Sequence, residues 1–131
     1  IDLENGPCAY KKLKGCGSGD EYLAVTPEGD LYPCHQFVGM EEFKMGNVNV
    51  TTQMNQEIRK KFVGQNIYSK PECRKCWAKF FCSGGCTANS MQLNHCLEKP
   101  YAIGCELEKK RVECALWAKV MEYEQGGGEQ D

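Results

Sequence analysis

Four cysteines fall within fourteen residues as Cys73-x2-Cys76-x5-Cys82-x3-Cys86, and Cys16, Cys34 and Cys105 stand outside that run. Thiolates are soft ligands, and a chain this tightly spaced must bend around whatever its sulfurs hold. The supply exceeds the four thiolates that one tetrahedral zinc or one cubane iron-sulfur cluster takes, so the spacing predicts two centres. In the dense run of bacterial ferredoxins the first three cysteines serve one cluster and the fourth reaches another. By that logic Cys73, Cys76 and Cys82 hold one centre, completed by Cys105, while Cys86 joins Cys16 and Cys34 in a second.

The elements that position these thiols are partly legible. Tyr22-Leu23-Ala24-Val25-Thr26 is β-prone, Pro27-Glu28-Gly29-Asp30 supplies a turn, and Leu31-Tyr32 returns, so residues 21–34 read as a hairpin with Cys34 at a strand end. Cys16 lies in the glycine-rich loop from Gly15 to Gly19, where backbone N–H groups can approach a sulfur without an intervening Cβ. Residues 37–50 show no clean period and read as a connection with one or two extended pieces. From Thr51 to Phe62, Met54, Ile58 and Phe62 recur every four residues, which predicts a surface helix ended by Gly64. Within the cysteine run the expected order is short helix, turn at Ser83-Gly84-Gly85, short helix, with Trp77, Phe80 and Phe81 shielding sulfur. Residues 94–100 read as irregular. A long helix from about Tyr101 to Tyr123 carries Leu107, Cys114, Trp117 and Met121 on one apolar stripe. The expected fold is α+β: a small cysteine-rich, metal-bound domain over residues 1–124, with a flexible tail over 125–131.

The totals agree with a domain that depends on metal. Of 131 residues, ten are Cys and fourteen Gly, and 41% are hydrophobic, which leaves little for a large apolar core. Sixteen basic and eighteen acidic residues give a net charge of −2, and a four-thiolate cubane adds about −2 more, which argues against a nucleic-acid partner. No stretch approaches the roughly 20 apolar residues of a membrane span, and Ile1 to Lys14 lacks the apolar run of a signal peptide, so a cytoplasmic location is expected. An even cysteine count also permits a secreted disulfide scaffold.

Three cysteines remain. Cys114, on the apolar side of the terminal helix, reads as a small buried residue. Cys96 has no evident partner, whereas Cys8, near Cys16 and after Pro7, is a candidate fourth ligand of the second centre. His35 follows Cys34 and is a candidate general base or hydrogen-bond donor there, with a supporting hydrogen bond to backbone or sulfur as the structural alternative. His95 reads as structural, and Lys11-Lys12-Leu13-Lys14 as a solvated segment. The carboxylates Glu28, Asp30, Glu41 and Glu42 form no convincing pair.

The pattern Cys16-x12-Gly29-x4-Cys34, followed by the dense run and Cys105, resembles the SPASM signature, the auxiliary iron-sulfur domain of radical S-adenosylmethionine enzymes that modify peptides and proteins. Residues 32–39, Tyr-Pro-Cys-His-Gln-Phe-Val-Gly, with Cys82-Ser83-Gly84-Gly85-Cys86, are similar to the six-cysteine (SCIFF) peptide maturases, which form thioether cross-links from cysteine sulfur to an α-carbon. The resemblance covers about residues 8–124. It implies two [4Fe-4S] clusters: auxiliary cluster I on Cys16, Cys34 and Cys86, with Cys8 as candidate fourth ligand, and auxiliary cluster II on Cys73, Cys76, Cys82 and Cys105. An iron left open in cluster I would bind a substrate cysteine thiolate. Sulfatase-maturating relatives carry an Asp, thought to act as base, after the cysteine that matches Cys34, where this chain has His35. The implied partners are a cysteine-containing precursor peptide, the radical S-adenosylmethionine domain of the same polypeptide and an external electron carrier, with no nucleic acid or membrane.

No C-x3-C-x2-C triad is present for the catalytic cluster that cleaves S-adenosylmethionine. The chain therefore reads as part of such an enzyme, able to bind clusters without turnover, with S-adenosylmethionine and a third cluster belonging to the missing part. Two other classes remain: a structural zinc-binding interaction module, and a ferredoxin-like electron carrier.

Overall fold

A computed structural model describes residues 1–50 and 53–126. The order is α1 (Ala9–Lys14), β1 (Ala24–Val25), β2 (Asp30–Tyr32), two single 3-10 turns (His35–Phe37 and Glu41–Phe43), β3 (Gly46–Asn47), α2 (Gln56–Val63), α3 (Pro71–Lys75), α4 (Lys79–Cys82), α5 (Thr87–Asn94) and α6 (Ala102–Gly126). The expected α+β class, hairpin, short helices and long terminal helix are all present.

The hairpin forms where turn chemistry interrupts a β-prone run. β1 and β2 pair antiparallel with Ala24 opposite Tyr32 and Val25 opposite Leu31. The turn closes through Gly29 N–H on Thr26 O at 2.8 Å and Thr26 N–H on Asp30 O at 3.0 Å. A third strand, β3, adds to β2 with Asp30 opposite Asn47 and Leu31 opposite Gly46, one of the extended pieces expected in this connection. Asp30 braces the sheet by accepting from Asn47 Nδ2 at 2.8 Å and pairing with Lys44 at 3.0 Å.

α2 starts later than the apolar period predicts. Asn55 caps it, its Oδ1 accepting from Glu57 N–H at 3.0 Å and Ile58 N–H at 3.2 Å. A side-chain cap satisfies amides that the first turn leaves orphaned, so it fixes the start better than periodicity does. Residues 51 and 52 of the expected helix lie outside the described residues. α2 presents Ile58 and Phe62 to the core, where Phe37, Phe43 and Phe62 form a ring cluster with centroids 4.7 to 5.9 Å apart. Tyr32, Cys34, Met45, Ala88 and Leu97 complete this core, which places Cys34 at its edge.

The glycine-rich loop serves packing. Gly19 has φ of +73°, and a Cβ there would stand 2.7 Å from Phe62 Cγ. Its N–H is used by Tyr22 O and Pro33 O, both at 2.9 Å, rather than aimed at a sulfur as the sequence suggested. Asp20 then ties the loop down between Lys14 at 3.3 Å and Arg59 at 2.7 Å, joining α1 to α2. The expected solvated lysine run is thus helix α1, and Lys14 within it is partly buried.

Two aromatic expectations fail. Trp77, Phe80 and Phe81 are 52%, 44% and 44% exposed and do not close over the thiols. On α6 the buried residue is Val112, whereas Leu107, Trp117 and Cys114 face outward. A long helix that touches the domain along part of its length leaves the rest of its apolar stripe uncovered. α6 includes Gln125 and Gly126, and the remainder of the tail expected from residue 125 lies outside the described residues. Among the described residues no helix is long and apolar enough to cross a membrane.

Candidate metal centre

The first thiol group gathers at the hairpin end of the domain. Cys34 follows β2 and precedes the 3-10 turn His35–Phe37, whose Phe37 N–H donates to Cys34 O at 3.0 Å. Burial pushes the Cys34 thiol up, the nearby Gln36 and Phe37 backbone amides oppose the shift, and the Cys86 and Cys16 thiols add to it. Cys86 caps α5, and Gln36 Nε2 reaches its sulfur at 3.8 Å. Cys16 is exposed in the loop after α1. The preceding Gly15 lies against the Ser83 turn, where an added Cβ would be 3.5 Å from Ser83 Cβ. Three segments distant in sequence are therefore brought within electrostatic reach.

The second group is built from α3, α4 and the first turn of α6. Cys73 is buried in α3, and Cys76 ends that helix with its N–H on Cys73 O at 3.0 Å. Cys82 closes α4, whose N–H on Ala78 O at 3.0 Å is followed by a left-handed Ser83 and by Gly84 and Gly85, all at positive φ. This reversal turns the chain back, with Gly85 N–H on Cys82 O at 3.5 Å. Cys105 enters from α6, its N–H on Tyr101 O at 3.0 Å.

Burial is the leading cause that pushes up the thiols of Cys73, Cys82 and Cys105. Cys73 is raised further by Cys105, Cys82 and Cys76, and Cys105 by Cys82 and Cys76, so the four sulfurs form one mutually repelling set. Loading them with metal would release protons. Their common space is a cavity of about 660 Å³ lined by Cys73, Cys76, Cys82 and Cys105, with Gly84 and Gly85 on its wall. Cys86 also lines it, so this thiol stands between the two groups.

Among the described residues, no group of three or more His, Cys, Asp or Glu side chains is arranged to hold a single metal ion. Cys73, Cys76, Cys82 and Cys105 line one shared cavity. A tetrahedral zinc needs its sulfurs about 2.3 Å from one centre, whereas a cubane takes one thiolate on each of four irons. Four soft thiols and a cavity with glycines on its wall fit the second kind of group.

The remaining predicted residues lie apart. Cys8 is exposed at the start of α1. His35 is exposed on the 3-10 turn, beside Cys34 in sequence. His95 ends α5 in the left-handed conformation at φ 55°. Cys96 has a partner that the sequence did not suggest, donating from sulfur to Glu98 Oε2 at 3.1 Å. Sequence reasoning missed two side chains at the site: Gln36, which touches Cys86, and Lys70, whose charge acts on Cys73. Gln36 lay within the segment 32–39 singled out above, while nothing in the sequence marks Lys70.

Residues 16–77 match the SPASM family, described as an iron-sulfur cluster-binding domain. An uncharacterized protein of Archaeoglobus fulgidus is 32% identical over 102 residues, which cover 75% of this chain and 24% of that protein. The serine-type anaerobic sulfatase-maturating enzyme of Klebsiella aerogenes is 30% identical over 88 residues, covering 65% of this chain and 20% of the enzyme. The chain thus spans about a quarter or less of the length of these relatives. Thiol-rich construction, spacing and these likenesses agree: the chain carries a SPASM iron-sulfur auxiliary domain, related to radical S-adenosylmethionine maturases in general.

Proposed function

We propose that this domain holds two [4Fe-4S] clusters and serves a radical S-adenosylmethionine enzyme that installs cysteine-derived thioether cross-links in a ribosomal peptide. Cys73, Cys76, Cys82 and Cys105 would hold auxiliary cluster II, and Cys16, Cys34 and Cys86 auxiliary cluster I, with Cys8 as its candidate fourth ligand. The observation that carries the reading is that four thiols from α3, α4 and α6 line one cavity, the number and kind of donors that a cubane takes. The likeness to a sulfatase-maturating enzyme supports the broader role, and the similarity of residues 32–39 and 82–86 to six-cysteine peptide maturases supports the thioether assignment.

When bound, the clusters would supply a path for single electrons and an iron able to hold a thiolate. The chain's own residues divide the remaining work. Phe37 N–H on Cys34 O and Gly85 N–H on Cys82 O fix the backbone that carries these two thiols, and Gln36 Nε2 reaches the Cys86 sulfur at 3.8 Å. The exposure of Cys16 leaves the first group open on one side, where the cysteine of a precursor peptide would approach. His35 lies exposed on that edge and is the candidate base for the incoming thiol. The parent enzyme's radical S-adenosylmethionine domain and an external electron carrier would complete the assembly.

Iron, acid-labile sulfide and zinc per chain after anaerobic reconstitution, with the visible spectrum of the same sample, test this reading. About eight irons and eight sulfides are expected for two cubanes. Stable zinc with negligible iron and sulfide would replace the reading with a structural module.

A further inference from the structure

We infer that Gln36 is a positioning residue for the Cys86 thiol, its side-chain amide donating to that sulfur and so raising the reduction potential of a cluster bound there. The inference rests on the cluster reading given above.

A 3-10 turn has about three residues per revolution, so the side chains of His35, Gln36 and Phe37 leave it in three different directions. Phe37 is 0% exposed and enters the ring cluster, His35 is exposed, and Gln36 is half-buried against α5. Two hydrogen bonds join this residue to that helix. Gln36 Nε2 donates to Cys86 Sγ at 3.8 Å, and Gln36 O accepts from Gln92 Nε2 at 3.0 Å. The turn after Cys34 is thereby fastened to α5 at two points about one and two-thirds helical turns apart.

Cys86 is the thiol for which such a tie matters. It lines the cavity shared by Cys73, Cys76, Cys82 and Cys105, yet the proposed ligand sets place it with Cys16 and Cys34. Its backbone is held separately, Cys86 O accepting from Ser90 N–H at 3.1 Å and from Ser90 Oγ at 3.2 Å. Those bonds leave the side chain a choice of rotamers, and the bond from Gln36 holds the sulfur toward the hairpin end. An N–H donated to a thiolate strengthens as the sulfur gains negative charge. The reduced state of a cluster is the more negative one, so the bond favours reduction and raises the midpoint potential.

Two variants test the donor. Gln36→Met keeps the length of the side chain without an N–H, and Gln36→Glu keeps its shape while, ionised in mildly alkaline buffer, it replaces the donor by a negative charge. Midpoint potentials are read by spectroscopic redox titration of the reconstituted chain, and the cluster that survives in Cys82→Ser identifies the signal belonging to Cys86. That cluster should become about fivefold harder to reduce in Gln36→Met, the worth of one hydrogen bond, or about 40 mV at about 59 mV per tenfold for one electron. The loss should be larger in Gln36→Glu, with the other cluster near its wild-type value in both. A residue that only fills space would not give this order, because the carboxylate occupies the room of the amide. An unchanged potential in Gln36→Met, equal shifts of both clusters, or a Gln36→Glu potential at or above that of Gln36→Met overturns the inference. Wild type that takes up no iron sinks the cluster reading and with it the redox role. The contact is then read in the same chain from the Gln36 side-chain amide resonances in a heteronuclear NMR spectrum, which should move in Cys86→Ala and hold in Cys114→Ala. Resonances indifferent to Cys86→Ala overturn the positioning role as well.

Discussion

Replacing Phe62 by Leu should destabilise the domain by about 2–3 kcal/mol, whereas the same change at Phe81 should cost no more than about 0.5 kcal/mol. Phe62 is 1% exposed and meets Phe37 edge-on at 5.3 Å and Phe43 edge-on at 5.9 Å. Leucine removes the outer carbons of the ring, each worth about 0.8 kcal/mol when buried, and both edge-to-face contacts, each worth about 0.5–1.5 kcal/mol, less what repacking recovers. Phe81 is 44% exposed and loses little by the same change. For a chain of 131 residues the Phe62 cost lowers the thermal midpoint by about 10 °C. Circular dichroism melts of both variants, in matched metal content, read the difference. Equal midpoints would refute the reasoning, because they would mean that the aromatic residues beside the cysteines, rather than the ring cluster behind Cys34, bear the core.

Further outcomes follow from the same geometry. Gly19→Ala should cost about 1–3 kcal/mol, seen as a lowered thermal midpoint, since it combines φ of +73° with a Cβ 2.7 Å from Phe62 Cγ. Asp20 is held below its usual 3.8 by the hydrogen bond from Lys14 and by Arg59, so its contribution is complete above that value and is lost as pH falls through its lower folded value. Asp20→Asn should therefore melt below wild type at pH 7 and converge with it in acid, and a gap that persists undiminished at pH 2 would contradict the ion-pair account. Cys82→Ser should remove about four irons per reconstituted chain, while Cys114→Ser, at an exposed position on α6, should leave the iron content unchanged; parallel losses would move the ligand assignment elsewhere.

Local rules made much of this molecule readable. Pro27-Glu28-Gly29 between β-prone runs specifies the hairpin, the four-residue period ending at Phe62 specifies α2, and the double glycine after Cys82 specifies a reversal, because each depends on backbone preferences of adjacent residues. Asn55 was legible in principle as a cap but was obscured by the apolar period running through Met54. The dense run of four cysteines, with Cys16, Cys34 and Cys105, likewise announced soft-metal chemistry, since seven thiols at these spacings have few other uses.

The sequence by itself determined the class of fold, the thiol supply and the relation to an iron-sulfur domain family. Only the tertiary structure decided which thiols share a space, because Cys105 joins Cys73 through the start of α6, and Cys34 meets Cys86 through the core beneath the hairpin. It also decided that Phe62 is core and Phe81 surface, and that Lys70 is buried while most of α6 faces outward. Such outcomes are set by contacts between residues far apart in the chain. A side chain's local pattern fixes its spacing along an element, but burial depends on what other elements pack against that face.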